Sequence, residues 1–150
     1  MSGISLHRRQ VLAGLAATPL LPGLPGPAAA AAEGALAAAL RDLGIAPETL
    51  RWGDGIALTA PLIAEDGAAV PVTVRLNDGP VRVVHLLAPA NRRVLVASVT
   101  PGEAAGRLEF GLRIRLAKTQ GVTVVAERAD GRVVGAIAEV QVTVGGGCKT

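Results

Sequence analysis

The chain has almost no aromatic side chains: no tyrosine, one phenylalanine (Phe110) and one tryptophan (Trp52) in 150 residues. A nucleic-acid platform that stacks bases on Phe, Tyr and Trp is excluded by that shortage. Cysteine is as scarce. Cys148 stands alone, with His7 and His85 as the only histidines, too few ligands for a structural zinc site. No long apolar run is unbroken either. The stretch from Val11 to Ala32 is interrupted by prolines at 19, 22, 25 and 27, whereas a spanning helix needs about 20 continuous apolar residues. The 50% apolar content and mean hydropathy of +0.45 come mostly from alanine and valine. This length holds one domain at most.

What is present begins with an address. Met1 to Leu6 is short and polar. His7-Arg8-Arg9-Gln10-Val11-Leu12 then sets paired arginines before the apolar stretch, and the polyalanine Ala28 to Ala32 closes it. A basic head, an apolar middle and a small-residue end follow the order of an export signal, and Arg8-Arg9 after Ser5 has the form of the twin-arginine type. Closely spaced prolines oppose a cytoplasmic helix, because each removes a helix hydrogen bond. The expected leader is 1–32, cut at an Ala-x-Ala end before Glu33, and the expected location is the periplasm. Arg8 and Arg9 are its only charged side chains, so removal leaves 13 basic against 12 acidic groups and lowers the net charge from +3 to +1. The isoelectric point near 10.0 then makes no case for nucleic acid or an anionic membrane as partner. Residues 33–150 still suffice to bury roughly two-thirds of the unfolded chain's surface.

Beyond the leader, the pattern predicts one helix followed by short strands. Glu33 to Leu43 carries Leu36, Leu40 and Leu43 at helical spacing, with Gly44 as a stop. From Gly55 the period falls to two. Val70, Val72, Val74 and Leu76 alternate with polar or proline positions, as do Phe110, Leu112, Ile114 and Leu116, and Val140, Val142 and Val144. Val81 to Leu87, Val94 to Val99, Val122 to Ala129 and Arg132 to Ile137 complete the set, with Asp130-Gly131 as a two-residue hairpin signal. Seven or eight strands at about ten-residue spacing predict a mainly β fold, an antiparallel β-sandwich over 33–144 with a short N-terminal helix. Its core must be filled by Val, Leu, Ile and Ala.

The chemistry concentrates at the end. The last predicted strand, Ile137 to Val144, runs into Gly145-Gly146-Gly147-Cys148-Lys149-Thr150. An unpaired cysteine in an exported chain points to an intermolecular disulfide or a free thiol. Gly145, Gly146 and Gly147 make a pliant, thin tether. Extended, the steps from Val144 to Cys148 reach about 13 to 14 Å. The reacting species would be the thiolate, about 3% of an unperturbed thiol at pH 7. No fixed base accompanies it. His7 leaves with the leader, and His85 within Val81 to Leu87 reads as a satisfied structural residue. A nucleophile on a tether with nothing to activate it describes a covalent carrier rather than an enzyme, with no cofactor and no metal.

Several stretches together are similar to the SoxY family, the sulfur-carrier subunit of the periplasmic thiosulfate-oxidising Sox system. They are the twin-arginine leader, Ile56 to Gly67 followed by Val70-Pro71-Val72-Thr73-Val74, Arg113 to Gln120, and Val140-Gln141-Val142-Thr143-Val144-Gly145-Gly146. The resemblance implies an immunoglobulin-like sandwich paired with a SoxZ-like subunit, and Cys148 as the attachment point for thiosulfate-derived sulfur, with 145–150 as the carrier arm. It further implies three partner enzymes: a haem-containing SoxAX-like oxidase, a SoxB-like hydrolase and a SoxCD-like sulfane dehydrogenase. The family's usual ending is Gly-Gly-Cys-Gly-Gly, whereas this chain ends Gly-Gly-Gly-Cys-Lys-Thr. The rival reading is a non-catalytic interaction module whose Cys148 is idle or forms an intermolecular disulfide. Elsewhere, Trp52 reads as packing over a loop before the first strand, Lys118-Thr119-Gln120 as a turn, and Arg92-Arg93 as a solvated charge pair. Asp54, Glu65 and Asp66 lack metal-ligand spacing.

Overall fold

The computed structural model describes residues 26–77, 79–102 and 107–143. Helix α1 (Pro27–Asp42) comes first and a 3₁₀ turn (Pro47–Thr49) follows it. Nine strands come next: β1 (Leu50–Trp52), β2 (Ile56–Thr59), β3 (Ile63–Ala64), β4 (Val70–Leu76), β5 (Val81–Leu87), β6 (Leu95–Val99), β7 (Leu108–Ile114), β8 (Gln120–Arg128) and β9 (Val133–Val142). The larger sheet runs β1-β9-β8-β5-β6, with β3 also on β9, and the smaller runs β2-β4-β7.

The helix begins earlier than its leucine spacing predicts. Pro27 occupies its first turn, where the missing N–H is no loss, and Ala28 to Ala32 are the strongest helix formers available. The expected leader boundary before Glu33 therefore falls inside α1. At the other end Gly44 takes φ +78°, the left-handed conformation that glycine adopts most readily, and stops the helix.

Alternation dictates the layers. Val70, Val72, Val74 and Leu76 of β4 face Val84, Val122, Val124, Val134 and Val140 of the larger sheet, and all are essentially buried. Burying each such side chain is worth about 1.5–3 kcal/mol, so an aliphatic core stands in for the missing aromatics. The opposite face of β8 turns Val125 toward α1, where Leu40, Ile45, Leu50 and Leu87 form a second cluster. The order is thus helix, five-stranded path, three-stranded sheet.

Two features depart from a purely antiparallel sandwich. β1 and β3 both pair with β9 in parallel, Trp52 beside Gly135 and Ile63 beside Gln141. The segments expected as two strands near Arg132–Ile137 and Ile137–Val144 are one strand, β9, paired along its length with β8 from Glu127↔Val133 to Gln120↔Val140. Trp52 lies within β1, half-exposed, over Gly135. A Cβ on Gly135 would come within 3.2 Å of the indole and 3.0 Å of Leu50.

Candidate functional site

The site is built where β9 ends. Gln141 donates its amide to the Leu62 carbonyl (2.8 Å) and Thr143 to that of Ala64 (3.0 Å), so β3 holds one side of the terminal segment. From the other side, the Val142 amide donates to Thr119 Oγ1 at 3.0 Å. Gly67 closes the space below. Its carbonyl accepts the Leu116 amide at 2.7 Å, and a Cβ there would meet the Leu116 carbonyl oxygen and Val142 Cγ1.

Gln120 ties these loops together. Nearly buried, it accepts the Ala90 amide at 2.8 Å and donates to Asn91 Oδ1 at 3.0 Å and to the Lys118 carbonyl at 3.2 Å. Asn91 in turn donates to the Arg115 carbonyl (2.7 Å) and accepts the Ala117 amide (2.8 Å). Lys118-Thr119-Gln120, expected as a turn, is a fastening between β9 and the β5–β6 connection. Side-chain amide chemistry at a strand start was the signal for it, and periodicity does not reveal such a role.

Beside Thr119 opens a groove of about 620 Å³ between α1 and the outer face of β8 and β9. Leu36 and Ile137 supply apolar wall, Gly121 leaves the floor low, and Glu33, Glu139 and Lys118 set charges at its margins. Ile137 is half-exposed in it. Ala28, Ala29, Ala31 and Ala32 also line it; cleavage before Glu33 would remove them and leave Glu33 and Leu36 as the helical wall.

The other residues singled out by sequence are dispersed. Arg92 and Arg93 are exposed on the β5–β6 connection. Asp66 accepts the Ala68 amide at 2.8 Å within a turn, and the Asp54 carbonyl accepts Arg128 Nη2 at 3.1 Å. Among the described residues no cluster of His, Cys, Asp or Glu has metal-binding geometry. Arg8, Arg9, Gly145, Gly146, Gly147 and Cys148 lie outside the described residues.

The family model described as sulfur oxidation protein SoxY matches residues 44–148. The chain belongs to the SoxY family. The solved sulfur carrier protein SoxY from Chlorobium limicola f thiosulfatophilum is 33% identical, with a TM-score of 0.65 over 75% of this chain and 95% of its own. Superoxide reductase (neelaredoxin) from Ignicoccus hospitalis shares only the fold: 16% identity and a TM-score of 0.51 over 64% of this chain and 97% of its own. No curated protein matches the chain. The SoxY match starts at Gly44, so α1 stands outside it, whereas Thr119, Gln120, β9 and Cys148 all stand inside it.

Proposed function

We propose that this chain is a periplasmic carrier that holds thiosulfate-derived sulfur covalently on Cys148 and presents it to separate enzymes. The observation that carries this reading is the double anchoring of the last strand, Val142 to Thr119 and Thr143 to Ala64, immediately before Gly145-Gly146-Gly147-Cys148. A fixed base followed by three residues without side chains is the construction a delivery arm requires. Five residue steps separate Thr143 from Cys148, about 17 Å when extended, enough to carry a sulfur adduct away from the fold or back to the groove beside Thr119. Leu36 and Ile137, the apolar wall left once the leader is cut before Glu33, suit a sulfane chain, which foreign thiols would otherwise attack.

In this reading the twin-arginine leader delivers the chain to the periplasm. There it works as a heterodimer with a SoxZ-like subunit. A SoxAX-like oxidase loads Cys148, and SoxB-like and SoxCD-like enzymes process the adduct. The test is intact-mass spectrometry after incubation with thiosulfate and the cognate oxidase. The chain gains a sulfur adduct, and Cys148→Ser folds but gains none. An adduct that persists on the serine variant overturns the assignment.

A further inference from the structure

Strands β6, β5 and β8 bring together a serine, a histidine and a carboxylate on the outer face of the larger sheet. His85 pairs with Ser98 on one side and Val125 on the other, and Glu127 follows two residues along β8 on the same face. Ser98 Oγ lies 2.9 Å from His85 Nδ1, and Glu127 Oε1 lies 3.4 Å from His85 Nε2. His85 is only 7% exposed. Ser98, in contrast, is open to solvent.

The polarity of this row follows from its chemistry. A carboxylate only accepts, so of the two neutral tautomers of His85, Glu127 favours the one with hydrogen on Nε2. Nδ1 is then left with a lone pair directed at the Ser98 hydroxyl. A nucleophile within hydrogen-bond reach of a base, itself oriented by a third group, is the arrangement that activates a hydroxyl for covalent chemistry. It also places that hydroxyl on β6, which ends the sheet's path, and the outward-facing amides of a terminal strand are the kind of donor that stabilises a developing oxyanion.

We propose that Ser98 is an activated nucleophile that takes up acyl or phosphonyl groups, with His85 as its general base and Glu127 as the positioning residue. This is independent of the carrier reading. With a carboxylic ester, Ser98 Oγ bonds to the carbonyl carbon as its proton passes to His85 Nδ1. The ester C–O bond then breaks, and the proton leaves on the departing alkoxide. With a fluorophosphonate, the new bond is O–P, the broken bond is P–F, and fluoride departs while His85 holds the proton until water takes it.

The sequence makes the test clean, because Ser2 and Ser5 are the only other serines. The full chain is incubated with a fluorophosphonate and examined by intact mass and peptide mapping. A single adduct on Ser98 is expected, and Ser98→Ala carries none. His85→Gln labels at least about 100-fold more slowly, the usual weight of a general base. Glu127→Gln sits on a partly exposed position and keeps the fold; it labels about 10-fold more slowly, so the test stands even if the histidine variant misfolds. A purely structural row would leave labelling absent, or equal in wild type and Glu127→Gln. Either result overturns the proposal.

Discussion

Val142 and Thr119 are joined by a backbone amide that donates to a side-chain hydroxyl at 3.0 Å, although 23 residues separate them in the chain. The end of β9 is therefore held by a side chain as well as by its ladder with β3. Thr119→Val keeps the shape and removes the acceptor. The expected result is faster hydrogen exchange at the Val142 amide and a stability loss of about 0.5–1.5 kcal/mol, with core amides of β8 unchanged. An unchanged Val142 exchange rate would show that the bond contributes nothing to the anchor.

Gly67 has no room for a side chain, because a Cβ would strike the Leu116 carbonyl oxygen and Val142 Cγ1. Backbone cannot step aside as a side-chain end can. Gly67→Ala should lower stability by about 1–3 kcal/mol, read as an earlier urea midpoint at constant slope. A midpoint equal to that of wild type would mean the Asp66–Gly67 turn shifts freely.

Gln120 satisfies three polar groups in a nearly buried position. Gln120→Leu leaves the Ala90 amide without its acceptor, at a cost of about 1–3 kcal/mol. Thermal melts measure it. A neutral or stabilising outcome would show that water replaces the amide.

At the β8–β9 turn, Asp130 Oδ1 accepts the Arg132 amide at 3.0 Å and Oδ2 accepts Arg132 Nε at 2.7 Å. These bonds hold the Asp130 carboxyl below its ordinary value of 3.8, the backbone bond first and the guanidinium second. A depressed carboxyl adds stability above its unfolded pKa, and that gain is lost as pH falls through the folded one. Wild type should therefore melt slightly above Asp130→Asn at neutral pH, and the gap should shrink in acid below 3.8. A gap that widens in acid would refute the assignment.

Regular strands were the most legible part of the sequence. Val70–Leu76 and Val81–Leu87 are observed with those bounds because long valine-rich alternation between turn signals leaves little choice. β1 and β3 are too short for any period to register, and only their parallel contacts with β9 define them. β9 was obscured by its own composition. Gly135, Ala136 and Ala138 put small residues on both faces, so the alternation fades midway. The start of α1 was masked by reading Ala28–Ala32 solely as a leader end. Of the candidate chemistry, the expected arm Gly145-Gly146-Gly147-Cys148 lies outside the described residues, and the Ser98–His85–Glu127 row leaves no local pattern in the sequence. Its members stand 13 and 42 residues apart and meet only through strand register.

The flanking of β9 has a mechanical consequence. Along one side it is paired with β8 over eight residues, and along the other it is clasped near its start by β1 and near its end by β3. A pull on Thr143 along the strand axis would run across its ladder bonds. Those bonds would then be loaded in shear and yield together rather than unzip singly, which resists peeling from that end.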